Sequence, residues 1–440
     1  MIENLFLIIL VVPFLWLMVL AFLFFSRLKL NEIMLSEAVK FYSFLMTVLS
    51  ATLLVVTLIH SPSFLLVDYD NWIEIGQYQF KFRFIVDLLG STYAFLAAAL
   101  IGLIFRFSRN YLHREEGYFR FIFLLSTMMF GLLIVSFSRS LDILFAGWEL
   151  VGTTSILLIS YFYNKPQPVF HATKAIISYR LCDMGILAAA AWAHLYLHTH
   201  DFTVISRMLE EAHGGPGVVL IGFFIIWASL AKAGQLPMTS WFPTAMEGPT
   251  PSSAIFYGAL SVHLGPFLLL RFNEYFHHFP ILLITVGVIG FITAIYASLV
   301  GRTRSDAKTM LAYATISQVG IIYIEIAFGL TNFALFHIVT HASLRTYQFL
   351  RSSSLIQDFV ENPAVEVNVP IKRGSFFEKY FSSEFKKKIY IHALHGFHLD
   401  YFTNKVIKFL LWPFKAYIQL EERWMEFDTR LLKFLLRKNR

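Results

Sequence analysis

The sequence predicts an all-α polytopic membrane protein of about eleven transmembrane helices. Its 440 residues are 57% hydrophobic and only 15% charged, whereas soluble globular domains carry about 25% charged residues. Apolar windows of about 20 residues, the length that spans a bilayer as a helix, recur along most of the chain. Because these windows are continuously apolar and do not alternate with polar residues, they predict helices and not the strands of a membrane barrel.

The predicted spans follow one another at short intervals. The first apolar run has no basic region before it and no small-residue cleavage site after it, so we expect a membrane helix there and not a removable signal peptide. The windows cover residues 5–26, 40–60, 84–105, 119–138, 141–163, 171–197, 217–243, 252–271, 280–300, 309–329 and 333–356.

Basic residues concentrate in alternate loops, which predicts the orientation of the chain, because lysine and arginine near span ends mark the cytoplasmic side. One set of loops carries Arg27, Lys29, Lys40, Arg106, Arg109, Arg114, Lys165, Arg302, Arg304 and Lys308. The other set carries Asp68, Asp70, Glu74, Asp201, Glu210 and Glu211. We therefore expect a bacterial inner-membrane protein with its N-terminus outside and its C-terminus in the cytoplasm. The net charge of +7 reflects the basic cytoplasmic loops.

The character of the chain changes after residue 358. Residues 359–388 are polar and contain proline, and they predict a cytoplasmic linker. Residues 389–440 alternate apolar and basic side chains at helical spacing, with Trp412 and Trp424 among them, which indicates an amphipathic helix on the membrane surface or on a partner. A twelfth span is the alternative, and the charges that disfavour it are Lys415, Glu421, Glu422 and Arg423.

One predicted span contains a lysine followed by helix-breaking residues. In WASLAKAGQLPMTSWFPTAMEGPTPSSA, Lys232 is followed by several prolines, each of which removes a backbone donor. We expect a discontinuous helix near 232–249, broken at Pro237 and Pro249. Because irregular backbone at membrane depth is tolerated only inside protein or beside water, a hydrated cavity is expected next to Lys232.

A carboxylate and a lysine are predicted at mid-depth, where an ionisable group costs several kcal/mol. If its span begins at Leu141, Glu149 lies about 12 Å deep, and Lys232 lies about 22 Å into its own span, at about 1.5 Å per residue. Together they could load and release a proton. The alternatives are a static Glu149–Lys232 salt bridge, or a Glu149 carboxyl bonded to the hydroxyl of Thr153 or Thr154.

Two further clusters carry ionisable groups inside predicted spans. Arg180 and Asp183 share a helix face and, with Lys174 upstream, form either a charge relay or a structural pair. A second helix carries a row of residues four apart, His337, His341 and Arg345, and an earlier span adds a weaker candidate, His263. Since histidine titrates near neutrality, the row indicates a proton relay. Hydrogen-bonded core histidines, or a zinc site that lacks a third ligand, are the alternatives.

Five segments between residues 80 and 358 resemble motifs of one known family in the same order. They are GWELVGTTSILLISYFY, YRLCDMG, AKAGQLPMTSWFPTAMEGPTPSSA, DAKTMLAYATISQVG and FHIVTHASLRTYQFL. The family comprises the antiporter-like membrane subunits of respiratory complex I, most of all its L-type subunit, and the Mrp-type sodium/proton antiporters. A short form is known from Dab-type inorganic-carbon uptake complexes.

The resemblance implies inverted repeats of about five helices, each with a discontinuous helix. After N-terminal helices over 1–110, it implies a first repeat over 111–275 and a truncated second repeat over 276–358. Glu149 and Lys232 would be the proton-handling pair, and the row from His337 to Arg345 would be the central axis. The chain departs from the family pattern where Tyr257 replaces a histidine and where Arg345 replaces a lysine; arginine keeps its proton and cannot shuttle it.

The function expected from the resemblance is a proton- or cation-conducting subunit that couples ion movement to a partner. The preferred partner is an inorganic-carbon (CO2 or bicarbonate) uptake complex with a cytoplasmic zinc protein resembling carbonic anhydrase. The alternatives are an L-type subunit of an NADH-quinone oxidoreductase or hydrogenase-like redox complex, an Mrp-like Na+/H+ antiporter subunit, and an anchor without transport. The single Cys182 excludes cysteine-based metal sites and a disulfide framework. We expect no catalytic chemistry, cofactor, metal or nucleic-acid partner for this chain itself.

Overall fold

The protein is a helical membrane domain. The structure, a computed structural model, describes residues 2–26, 31–60, 64–75, 78–211, 216–353 and 382–401, together with part of 403–425. In chain order its helices are α1 (Ile2–Phe25), α2 (Glu32–Ile59), α3 (Leu88–Tyr111), α4 (Tyr118–Phe137), α5 (Leu141–Ile159), α6 (Pro166–Leu197), α7 (Phe202–Glu211), α8 (Pro216–Lys232), α9 (Thr250–Ser253), α10 (Leu264–Arg271), α11 (Asn273–His277), α12 (Pro280–Gly301), α13 (Ala307–Ala327), α14 (Thr331–Ser352) and α15 (Ser383–Leu394).

The helices confirm the predicted all-α membrane architecture. Among the described residues, nine helical stretches are long and apolar enough to cross a membrane: α1 to α6, the interrupted stretch Thr250–Arg271, α12 and α13. Helix α8 is apolar but shorter, and α14 has 22 residues and carries the histidine row. Each predicted window therefore overlaps one of these helices.

A β-hairpin between α2 and α3 was not predicted. Strand β1 (Leu65–Ile75) pairs antiparallel with β2 (Tyr78–Val86), with Leu65 opposite Val86. Residues 84–86, assigned above to the start of a span, are strand, and α3 begins at Leu88 after Asp87 caps it by accepting from the Gly90 amide at 2.8 Å. The alternation of apolar and polar residues over 80–84 is the pattern of a strand.

The hairpin is fixed to two helix–helix turns on the acidic side of the protein. Bridges join Phe84 to Ser138, in the α4–α5 turn, and Ser140 to Asp201, in the α6–α7 turn. Arg139 lies between two carboxylates, with a guanidinium nitrogen 2.9 Å from Asp68 and another 2.7 Å from Asp201. Asp201 is fully buried, and Arg139 is the nearer of its two counter-charges, because Arg83 of β2 lies 3.5 Å from the same carboxylate.

The helix break predicted near 232–249 is confirmed. Helix α8 ends at Lys232, residues 233–249 contain only one short 3-10 turn, and α9 starts at Thr250 after Pro249. Gly234 adopts a left-handed backbone (φ 60°) that favours glycine. The next stretch holds a second irregularity, a π-helical turn over Ala254–Ala259, which the sequence analysis did not predict.

Part of the C-terminal segment is helical and packs on the membrane domain. Helix α15 starts at Ser383, inside the predicted linker, because the Ser382 hydroxyl accepts from the Phe385 amide and caps it. Most of the linker over 359–388 lies outside the described residues, as do the final residues of the predicted amphipathic segment.

Candidate functional site

Lys232 is buried at the end of α8 and its ammonium faces α5. Only 1% of the residue is exposed. Its Nζ donates to the backbone carbonyl of Trp148 at 2.6 Å and lies 4.6 Å from the Trp148 ring centroid and 5.3 Å from that of Tyr179. Gly152 leaves room for it, since a Cβ there would stand 2.9 Å from Nζ. A carbonyl and two aromatic faces therefore hold the cation.

Glu149 does not contact Lys232. Its Oε2 accepts from Nη1 of Arg180, and its Oε1 is buried without a hydrogen-bond partner in the protein. Successive residues of a helix point about 100° apart, so Trp148 faces Lys232 while Glu149 faces α6. The static Glu149–Lys232 salt bridge, which was the alternative considered from the sequence, is therefore not formed in the structure. The Thr154 hydroxyl donates to the Leu150 carbonyl at 2.8 Å and not to Glu149.

Asp183 is a buried carboxylate that hydrogen-bonds to Trp148, the residue whose carbonyl holds Lys232. It is 2% exposed, and its Oδ1 accepts from the Trp148 indole N–H at 2.6 Å, while Oδ2 has no protein partner. Trp148 therefore joins Asp183 and Lys232, using its indole for one and its carbonyl for the other. The expected Arg180–Asp183 pair is not formed, because Arg180 turns towards α5.

Lys174 lies apart from this cluster. It is 4% exposed, and its Nζ pairs with Oδ1 of Asp400, in the C-terminal segment, at 2.9 Å. A direct relay through Lys174, Arg180 and Asp183 is therefore not seen: each side chain has a partner on a different element.

The histidines form a hydrogen-bonded row that includes His263. Nε of Arg345 donates to Nε2 of His341 at 3.0 Å, and Nδ1 of His341 lies 3.0 Å from Nε2 of His263. The Nδ1 of His263 contacts the Ala259 carbonyl. Since arginine can only donate and a carbonyl can only accept, both histidines are assigned as neutral rings with the proton on Nδ1.

The π-helical turn makes this row possible. In a regular α-helix the amide of residue 263 would bond to the carbonyl of residue 259. Here the His263 amide bonds to the Leu260 carbonyl at 3.1 Å, which leaves the Ala259 carbonyl to the imidazole. Such π-helical turns occur frequently at functional sites.

His337 extends the row to a carboxylate that the sequence analysis missed. Its ring centroid lies 5.9 Å from that of His341, and its Nδ1 lies 2.8 Å from Oε1 of Glu325 on α13. Glu325 is 8% exposed. A lone carboxylate within the apolar run GIIYIEIAF satisfies the same criterion that identified Glu149, so the signal was present in the sequence.

Several buried polar atoms around these residues have no hydrogen-bond partner in the protein. They are the Gln235 Oε1, Ser240 Oγ, Asp183 Oδ2, Glu149 Oε1 and Glu325 Oε2 atoms. Buried polar groups almost always bond to protein or to ordered water. The region of the helix break therefore suits water molecules, as the polar residues and the prolines predicted.

Sequence comparisons place this site within a known family. Residues 138–368, more than half of the chain, match the family described as NADH:quinone oxidoreductase/Mrp antiporter, transmembrane. Residues 72–122 match the N-terminal region of chain 5 of NADH-ubiquinone oxidoreductase (complex I).

Individual relatives agree with the family match. The chain is 31% identical over 313 residues to the chloroplastic NAD(P)H-quinone oxidoreductase subunit 5 of Mesostigma viride, covering 69% of this chain and 48% of that protein. It is 30% identical over 320 residues to NADH-quinone oxidoreductase subunit L of Rickettsia bellii, covering 69% of this chain and 50% of the relative. The chain thus spans about half the length of the curated relatives it matches.

A solved structure shows the same fold. The Mrp complex from Dietzia sp. DQ12-45-1b superposes with a TM-score of 0.67 over 78% of this chain and 37% of that chain, at 22% identity. The resemblance predicted from five motifs is thereby confirmed at the level of family and fold. The chain is an integral membrane protein that belongs to the NADH:quinone oxidoreductase/Mrp antiporter family.

Proposed function

We propose that this chain conducts protons, or another small cation, across the membrane and couples that movement to a partner protein. The observation that carries the proposal is Lys232, a buried cation at the end of a broken helix that is held by a neutral carbonyl. Burying an amine at membrane depth costs several kcal/mol. A purely structural role does not explain this cost, because an uncharged side chain would fill the same space.

Glu149 supplies a movable counter-charge in this proposal. In the structure it pairs with Arg180, yet it directly follows Trp148, whose carbonyl holds Lys232. A carboxylate that turns from Arg180 to Lys232 favours the charged amine, and its return favours release of the proton. Asp183 accepts the hydrogen bond of the Trp148 indole and in this way fixes the residue whose carbonyl holds Lys232.

The histidine row supplies a second segment of the route. His341 and His263 each hold one proton and accept at the other nitrogen, so a proton can pass along the row as each ring exchanges tautomers. Arg345 keeps its proton and contributes a field. Glu325 gives His337 a carboxylate partner at the far end of the row.

The exposure of Arg180 indicates a neighbouring subunit in the membrane. Its side chain is 45% exposed, although it lies 14 residues into α6, about 21 Å along the helix. A guanidinium facing lipid at that depth is strongly unfavourable. We therefore propose that another membrane protein, or a polar surface of one, covers the Glu149–Arg180 pair.

The partner complex that we propose is an inorganic-carbon uptake system with a cytoplasmic zinc protein of carbonic-anhydrase-like chemistry. In support, the side chains clustered in this chain are amines, carboxylates and imidazoles, which suit ion movement. The hydration of CO2 would take place in the partner protein. A redox complex is the second candidate, and the names of the relatives, quinone oxidoreductase subunits, favour it. The fold shared with the Mrp complex favours an antiporter subunit as the third.

Purification from native membranes separates these candidates. A tagged chain would be isolated with its partners and analysed for zinc, iron and flavin. Zinc without flavin or iron supports the inorganic-carbon complex. Flavin together with iron–sulfur clusters assigns the redox complex instead, and ion flux that requires Na+ assigns an antiporter.

The conduction proposal itself is tested in liposomes that contain the purified complex. A potassium diffusion potential is imposed and the internal pH is followed with a dye, with and without Na+. Flux above empty liposomes supports the proposal, and its dependence on Na+ identifies the ion. Flux no greater than in empty liposomes, from a complex that is intact by size, overturns it.

We also propose that the chain lies in the bacterial inner membrane with the α12–α13 loop in the cytoplasm. The basic residues of that loop support this orientation. A cysteine introduced at Lys308, in a chain whose Cys182 is replaced by serine, would be labelled by an impermeant reagent in inverted vesicles only. Labelling only in right-side-out vesicles would reverse the orientation.

A further inference from the structure

The C-terminal segment reaches back to a buried residue of the membrane domain. Lys174 on α6 is 4% exposed, and its ammonium lies 2.9 Å from the Asp400 carboxylate, which is half exposed. The two residues are 226 positions apart in the chain. Asp400 therefore connects a buried amine to the surface of the protein.

The turn that positions Asp400 has an unusual backbone. Gly396, Phe397 and His398 have φ values of 57°, 50° and 59°. Three consecutive left-handed residues are unfavourable when two of them carry side chains, and such conformations persist only where packing enforces them. The Phe397 ring packs on Tyr296 of α12, with centroids 5.9 Å apart, and Gly396 is buried beneath the turn.

The two helices that hold this turn, α6 and α12, also hold the broken segment, residues 233–249. On α6, His171 lies 3.3 Å from Glu247 of the broken segment, and Lys174 follows one turn later. On α12, the Thr293 hydroxyl accepts from the Leu236 amide at 3.1 Å, and Tyr296 follows one turn later. The turn over 395–400 thus lies directly beside one end of the broken segment.

The side of the membrane domain on which this turn lies follows from its contacts. The Thr303 hydroxyl, in the α12–α13 loop, lies 3.5 Å from the Ala393 carbonyl. That loop and the α5–α6 loop are both on the basic side of the chain. The turn therefore lies on the side of the basic loops and packs on the same two helices, α6 and α12, that contact the broken segment.

We propose that residues 395–400 form a plug that closes the basic-side mouth of the helix break, and that Asp400 latches it by pairing with Lys174. The proposal rests on the proposed function for its meaning in transport, because a mouth needs a plug only if ions pass. Its structural part does not depend on transport. When the Asp400–Lys174 pair is removed, residues 233–249 become accessible from the basic side.

Ser240 is a suitable reporter of that access. It lies within the broken segment and is 5% exposed, and its hydroxyl has no protein partner. Since the chain has a single cysteine, a Cys182→Ser background with Ser240→Cys carries one thiol. The labelling rate of that thiol by a bulky charged maleimide is measured for the full chain in nanodiscs, where both faces are accessible.

The latch is then removed with Asp400→Asn, which preserves shape and removes the charge. We expect labelling about tenfold faster, the factor that corresponds to about 1.4 kcal/mol, because the ammonium of Lys174 loses its counter-charge. Glu384→Gln is the matched control, since this exposed carboxylate lies on α15 and should leave the rate unchanged. Lys174→Gln removes the other partner and should accelerate labelling as Asp400→Asn does.

An unchanged rate in both latch variants overturns the plug, and so does equal acceleration in Glu384→Gln, which would indicate general loosening. Ion flux is measured on the same preparations. If labelling accelerates while no variant conducts ions above empty liposomes, the proposed function fails and the plug stands. If the wild type conducts and labelling does not respond, the plug fails and the proposed function stands.

Discussion

The ammonium of Lys232 lies 2.6 Å from the carbonyl oxygen of Trp148, one residue before the glutamate that was expected to pair with it. Because Glu149 pairs with Arg180 instead, the lysine and the glutamate are neighbours with separate partners. This arrangement gives each charge an alternative partner within reach. In the mechanism that we propose, a change of partner, and not a fixed salt bridge, moves the proton at this site.

Arg180→Gln tests whether Glu149 changes partner. Without the guanidinium, the carboxylate turns to Lys232 and remains there, so the amine no longer releases its proton. We expect flux in liposomes to fall about tenfold, as for a loss of about 1.4 kcal/mol. Arg180→Lys keeps a positive charge and should retain most of the flux. Full flux in Arg180→Gln would show that Arg180 takes no part.

Gly152→Ala tests the position of the lysine ammonium without removing any titratable group. The added Cβ would stand 2.9 Å from Nζ, so the flexible lysine tip must leave the Trp148 carbonyl. We expect reduced flux at a nearly unchanged unfolding temperature. Gly102→Ala is the control, because its nearest neighbour would be at an ordinary 3.5 Å. Equal flux in the two variants would contradict the proposed position of the ammonium.

Glu325→Gln tests the far end of the histidine row. The amide cannot hold a proton for His337, so we expect flux to fall about a hundredfold, the lower end of the range by which a positioned acid or base contributes to proton transfer. The matched control is Glu274→Gln, an exposed carboxylate on α11. Flux that is lost equally in the control would indicate damage to the fold and not to the row.

Arg139→Met tests the ion cluster that fixes the hairpin. Asp201 is fully buried and Arg139 is the nearer of its two cations, with Arg83 at 3.5 Å, so removal of Arg139 should cost about 3 kcal/mol. The measurement is the loss of unfolding temperature in detergent. Arg109→Gln is the comparison, because Arg109 and its partner Glu37 are both exposed and such pairs contribute little. If Arg139→Met lowers the unfolding temperature as little as Arg109→Gln does, the ion cluster does not stabilise the hairpin.

The long helices and the helix break were predictable because both depend on local sequence. A bilayer-length apolar run can hardly avoid forming a helix in lipid, since every backbone group needs an internal partner. Lys232 and the prolines after it likewise mark the break by themselves. The hairpin was missed although its alternation is local, because strand β2 leads directly into the apolar run of α3 and was merged with it.

The partners within the site were less predictable. The ionisable residues within the spans were evident in the sequence, but Glu149, Arg180 and Asp183 each bond to a residue that spacing alone did not indicate. Which of two adjacent residues, Trp148 or Glu149, faces Lys232 depends on the rotation of α5 against α8. The pair of Lys174 and Asp400 joins elements 226 residues apart, and no local pattern identifies such a contact.

If ions cross this protein through its buried charges, as we propose, proton flux depends on Glu149 and Lys232. Proton flux is measured in liposomes that contain the intact complex with the wild-type chain, with Glu149→Gln or with Lys232→Ala, beside empty liposomes. We expect clear proton flux for the wild type and flux near the empty-liposome level for both variants. Equal flux in all three proteins, above the empty liposomes, would contradict it.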